Sequence, residues 1–171
     1  MKKAIELTLA SSLACMLLAG AACAAVPWQH SLCLANGGYW PQRVPVTITN
    51  TSANPVAGEP LGLSLPGLAG ARLESLRVCR TDGAELLFDL RDARGLPKRA
   101  GALNAEDRLI VPIECPAHTA TTLFVYAGNP EAWAVPDFLP GKPAAPGNAG
   151  LSAFIGEVER LQLQSGQQAI L

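Results

Sequence analysis

Charge and aromatic side chains are both scarce: Asp, Glu, Lys and Arg make up 16% of the 171 residues and Phe, Trp and Tyr only 5%. With 13 basic against 14 acidic residues the chain has no basic excess to neutralise phosphates, so nucleic acid is not an expected partner. Only two histidines are present, His30 and His118, and they form no ligand cluster with the widely spaced cysteines, so no zinc site or other cofactor is expected. Phosphate-binding glycine loops, G-x-S-x-G elbows and H-E-x-x-H helices are all missing. Long apolar runs are missing as well. After the first 25 residues no segment approaches the roughly 20 apolar residues that a membrane-crossing helix needs.

The first 25 residues are the exception, MKKAIELTLASSLACMLLAGAACAA. Lys2 and Lys3 precede an apolar run from Leu7 to Leu18, and Ala22-Cys23-Ala24 gives the small-x-small pattern of a signal peptidase site. The pattern predicts a signal peptide over 1–24, a mature chain from Ala25, and a secreted or periplasmic destination. Lipid anchoring at Cys23 is disfavoured, because Gly20 stands where a lipobox usually carries leucine. Processing would leave 11 basic and 13 acidic residues in a length that suits one domain with a real core.

Cleavage would also leave an odd set of cysteines, Cys33, Cys79 and Cys115. An oxidising compartment favours one disulfide. Cys79 with Cys115, both in predicted strands, is the first pairing, and Cys33 with either is the alternative.

Strand signals then recur along the chain. RVPVTITN alternates Val44, Val46 and Ile48 with Pro45, Thr47 and Thr49, and Pro45 argues for a sheet edge or the first residues of a strand. NTSANPVAGEP reads as turn, and LGLSLPG as a strand with Leu61, Leu63 and Leu65 on one face. ARLESLRVC starts like a helical turn and ends as a strand at the hairpin signal Thr81-Asp82-Gly83. ELLFDL then sends Leu86, Phe88 and Leu90 to the core, followed by a long polar connection, 91–106. DRLIVPIE aligns Leu109, Val111 and Ile113, and TATTLFVYAG, apolar on both faces near its end, is a central strand.

This pattern predicts an all-β antiparallel β-sandwich of about seven strands, with a small β-barrel as the alternative. A lead-in over 25–39 would precede a domain over 40–135. A Pro/Gly-rich linker over 136–150 carries Pro136, Pro140, Pro143 and Pro146. Residues 151–171 then read as a last strand, a short amphipathic helix or the start of a further unit.

WPQRVPVTITN, with DRLIVPIECPAHTATTLFVYAGNPEA much later, resembles secreted bacterial β-sandwich modules that open on W..R..ITI.NT and close on a strand ending YYGNP.A. The likeness spans Trp40 to Ala132, and here Val125 or Ala127 stands where the family's first closing aromatic falls. Such modules lie near the N-termini of cell-surface and polysaccharide-processing proteins. The resemblance implies an architecture and a setting, and it brings no catalytic residues.

The aromatics Trp28, Tyr39, Trp40, Trp133 and Phe138 all fall outside the predicted strands. Flat rings at the end of a sandwich can stack on sugars or can plug the core, and Trp133, Trp40 and Tyr39 are the ligand-binding candidates. Glu85, Asp89, Glu114, Glu131 and Asp137 could supply the facing carboxylates of a glycosidase, although carboxylates on alternating strands usually make a wet face. Arg91, Arg94, Lys98 and Arg99 crowd one loop that could hold an acidic glycan, diluted by Asp89 and Asp92. The sequence therefore favours an exported non-catalytic module in contact with a polysaccharide or a cell-surface protein. A small carbohydrate-active enzyme using an acidic pair and a structural N-terminal fragment of a longer secreted protein are the alternatives.

Overall fold

The computed structural model describes residues 26–28, 35–134 and 150–161. Among the described residues nine strands form two antiparallel sheets that do not close into a barrel. They are β1 (Gln42–Asn50), β2 (Val56–Leu63), β3 (Arg77–Arg80), β4 (Glu85–Leu86), β5 (Asp89–Arg91), β6 (Arg108–Cys115), β7 (Thr119–Ala127), β8 (Leu151–Ile155) and β9 (Glu159–Arg160). The larger sheet runs β4-β3-β7-β1-β8, with β9 also pairing with β1; the smaller runs β2-β6-β5. The expected β-sandwich is the architecture observed.

The central pair is β1 with β7, in unbroken register from Gln42 opposite Ala127 to Asn50 opposite Thr119. Period two places Val44, Val46 and Ile48 beside Val125, Leu123 and Thr121, so one face of this ribbon enters the core between the sheets. Leu63, Leu65, Leu109, Val111, Ile113 and Phe88 complete that core from the other side. Pro45 does not mark an edge. β1 has neighbours on both sides, and Pro45 falls in the gap between β8 and β9, where Gly156 N–H donates to its carbonyl at 2.8 Å.

Three segments depart from the sequence expectation. The turn-rich stretch before Leu61 is already strand, because β2 starts at Val56; an edge position accommodates Pro60, and Gly58 at φ +69° sits at a register shift between Ala57 and Glu59. ELLFDL is two strands instead of one. β4 belongs to the larger sheet and β5 to the smaller, so the chain changes sheets at Leu87 and Phe88. The tail over 151–161 is strand and not helix: β8 and β9 pair with β1 and extend the same sheet. As expected, Leu73–Ser75 is a single 3-10 turn before β3, and Asp82 organises the hairpin by accepting the Ala84 N–H at 3.1 Å.

The anticipated signal peptide with Cys23, together with His30, Cys33, Asp137, Phe138 and most of the 136–150 linker, lies outside the described residues. Among the described residues no helix is long and apolar enough to cross a membrane.

Candidate functional site

The larger sheet buries part of its outer face as well. Its strands β3, β7 and β1 present Cys79, Phe124, Tyr126 and two arginines there, and the segments before β1 and after β7 fold over them. Trp40 lies at the centre of this second cluster, 2% exposed, with its indole Nε1 donating to the Ser75 carbonyl at 2.7 Å. Trp28 packs edge-on against Tyr126, ring centroids 5.7 Å apart, and donates to the Trp40 carbonyl at 2.8 Å.

Two buried guanidiniums fasten this cover. Arg43 lies between the Trp28 and Phe124 rings, 4.5 and 4.2 Å from their centroids. It donates to the carbonyls of Val26 and Pro27, to the Tyr126 hydroxyl and, at 2.5 Å, to Glu159. Arg77, only 1% exposed, sits 5.2 Å from the Trp40 ring and donates to the carbonyls of Glu74, Leu76 and Trp133. Arginine suits both places, since its planar fork bonds several oxygens while its face meets aromatic rings. Sequence reasoning missed both residues. For Arg43 the signal was WPQRVPV, an arginine on the alternating polar face of a strand that follows Trp40.

The closing motif Gly128-Asn129-Pro130 is part of the same cover. Asn129 is buried; its amide donates to the Gly37 carbonyl at 3.1 Å and its side-chain oxygen accepts the Glu131 N–H at 3.0 Å. The Ser75 hydroxyl accepts the Gly128 N–H, and Ala35 forms a β-bridge with Ala132. The strand therefore stops where its backbone is handed to the lead-in.

Of the three aromatic candidates, the structure leaves one presented to solvent. Trp133 is 50% exposed, with its backbone carbonyl held by Arg77 at 3.0 Å. Trp40 is a core residue, which corrects its assignment as a ligand contact: the sealed outer face consumes its ring and its N–H. Tyr39 is intermediate in exposure. The three do not form a shared platform.

The expected Cys79–Cys115 disulfide is also corrected. Cys79 pairs with Phe124 and belongs to the outer cluster, whereas Cys115 belongs to the core between the sheets, where its thiol lies 3.8 Å from the Ile48 carbonyl. The larger sheet separates them, and a disulfide requires Cβ atoms about 4 Å apart. No disulfide joins these two residues.

The cationic loop neutralises itself. Asp89, 2% exposed, accepts from Arg91 at 2.6 Å and Arg99 at 2.9 Å, and the equally buried Asp107 accepts from Lys98 at 2.5 Å. Arg94 pairs with Asp92, whose carboxyl is held below its usual range first by the Leu96 N–H and then by the Arg94 guanidinium. These charges order the 91–107 connection. Glu85 and Glu114 likewise face Arg77 and Arg80, at 4.0 and 3.9 Å. Each of these acids thus faces a cation, while Asp137 lies outside the described residues.

A groove of about 430 Å³ opens at the end of the sandwich, lined by Gln42, Ala69, Arg72, Ser75, Asn129 and Pro130. Arg72, on its rim, reaches the Pro130 carbonyl at 3.4 Å and Glu74 at 3.6 Å. Among the described residues no buried side-chain polar atom lacks a hydrogen-bond partner, and no three acidic, histidine or cysteine side chains gather as metal ligands. No protein-family model, no curated protein and no solved structure matches the chain, so the architecture and the exposed Trp133 are what a functional reading has to stand on.

Proposed function

We propose that this chain is an exported, non-catalytic β-sandwich module that works by contact, with Trp133 as its contact residue and a polysaccharide as the ligand class. The observation that carries the reading is the contrast between the two tryptophans flanking the cover. Trp40 is consumed by the fold, whereas Trp133 keeps half its surface in solvent while its backbone is fixed by Arg77. An exposed indole on a pinned backbone loses little entropy when a sugar ring stacks on it. The candidate acids Glu85, Asp89 and Glu114 each face an arginine, which supports the non-catalytic reading.

A glycan-array screen of the 25–171 chain and its Trp133→Ala variant tests this. Selective signals that fall at least about tenfold in the variant support it, on the roughly 1–2 kcal/mol scale of a stacking contact. Equal signals from both proteins, or no signal from either, remove it.

A structural spacer is the second reading. It is favoured by Arg43, which ties the backbone at 26–27 to β9 through one side chain. A spacer would carry Trp133→Ala with no change in any binding assay.

A further inference from the structure

The four sheet edges are treated very differently. β2 carries the Gly58 irregularity, Glu59 and Pro60, all of which discourage a further strand. β5 is covered by its own chain, with Lys98 N–H donating to Leu90 O at 2.9 Å and a bridge between Arg91 and Pro97. β4 is two residues long and carries Glu85. β8 has none of these protections. Its five residues, Leu151-Ser152-Ala153-Phe154-Ile155, hold no charge and no proline, they pair with β1 in unbroken register, and Phe154 is 71% exposed. Among the described residues β8 has a neighbour on one side only.

The sequence of β8 is also complementary to itself. In an antiparallel pair centred on Ala153, Leu151 falls opposite Ile155 of a second copy, and Ser152 falls opposite Phe154. Leu151 and Ile155 lie opposite Asn50 and Val46 of β1 and pack against the core, so their pairing would prolong the core layer from one copy to the next. Phe154 lies opposite Thr47 on the other face, where it would cover Ser152 of the second copy. With no charge on the strand, like meets like without repulsion.

We propose that β8 is an assembly edge, where a second copy of this chain adds its own β8 antiparallel about a two-fold axis at Ala153 and joins the two larger sheets into one. The inference is independent of the glycan reading. A five-residue pairing buries less than the roughly 1,200 Å² of a standard stable interface, so the dimer is a weak one that forms at high protein concentration.

Ala153 makes the test specific, because the axis sets this residue against itself and the residue is exposed in the single copy. Sedimentation velocity on the 25–171 chain, from about 10 µM to about 1 mM, should show the mass moving toward double. Hydrogen exchange over the same range should show protection rising at 151–155. Ala153→Lys and Ala153→Glu should each stay monomeric, since like charges then face each other, and an equimolar mixture of the two should associate again. Circular dichroism melting checks that both variants are folded. A wild-type chain that stays monomeric at about 1 mM, or a dimer that survives Ala153→Lys, overturns the proposal. So does protection that rises elsewhere but not at 151–155.

Discussion

Arg43 and Glu159, 116 residues apart, form an ion pair of 2.5 Å that joins the first strand of the larger sheet to the last. The arginine is buried and the glutamate is 43% exposed, so the two partners are not equivalent. Arg43 also satisfies three other oxygens, which Glu159 does not.

Replacing Arg43 should therefore cost more than replacing Glu159. Arg43→Met leaves the Tyr126 hydroxyl and two carbonyls without their donor and removes the stacking between Trp28 and Phe124, a loss of about 3–5 kcal/mol. Glu159→Gln keeps an acceptor for Arg43 but removes the counter-charge of a buried guanidinium, and should cost about 1–3 kcal/mol. Urea unfolding midpoints would measure both, and equal costs would show that the cluster is not held through Arg43.

The two tryptophans should separate stability from binding. Trp40→Ala removes a buried indole and its bond to Ser75, at about 3–5 kcal/mol. Trp133→Ala should change stability by less than about 1 kcal/mol, because its contribution to the fold is a backbone carbonyl that alanine retains. Thermal melts of both variants decide this, and a large loss for Trp133→Ala would make it a core residue after all.

Peptide mapping without reduction should recover no Cys79–Cys115 linked peptide, whatever the oxidant. Cys115, buried at the end of β6, should react with a thiol reagent only on unfolding. A linked peptide from folded protein would contradict the separation of the two by the larger sheet.

Acid should loosen the 91–107 connection at Asp92. Its folded carboxyl lies below the ordinary value of 3.8, so its contribution is fully present above that value and is lost as pH falls through the lower folded value. The protection of the Leu96 amide, whose N–H donates to Asp92 at 2.9 Å, should fall over that acidic range once intrinsic exchange is corrected for pH. In Asp92→Asn it should be lower at neutral pH, with less response to acid.

Much of the inner core was legible because it obeys a strict period. Val44, Val46 and Ile48, and Leu109, Val111 and Ile113, are buried as their alternation requires. Of the outer cluster only Phe124 and Tyr126, on the second apolar face of β7, were legible, because its other members come from outside strands or from faces that alternation leaves wet. Alternation assigns Arg43 and Arg77 to the wet side, and only the fold-over of 26–28 and 35–40 makes that side dry. Trp40 was misread for the same reason, and Cys79 because parity places it on a face that the sequence leaves open. The sheet change at Leu87 was hidden by alternation itself, since Leu86, Phe88 and Leu90 face one core from two different sheets.

β1 is the oldest strand of the larger sheet in order of synthesis, yet one of its two flanks is paired by β8 and β9, the last part of the described chain to be made. Until residue 160 has emerged from whatever delivers the chain, β1 keeps one flank open for about a hundred residues of growth, and Arg43 waits for Glu159. Completion of this sheet thus waits for the end of the described chain: a chain interrupted before β8 leaves that flank of β1 as an open edge, the kind of surface that another strand can trap.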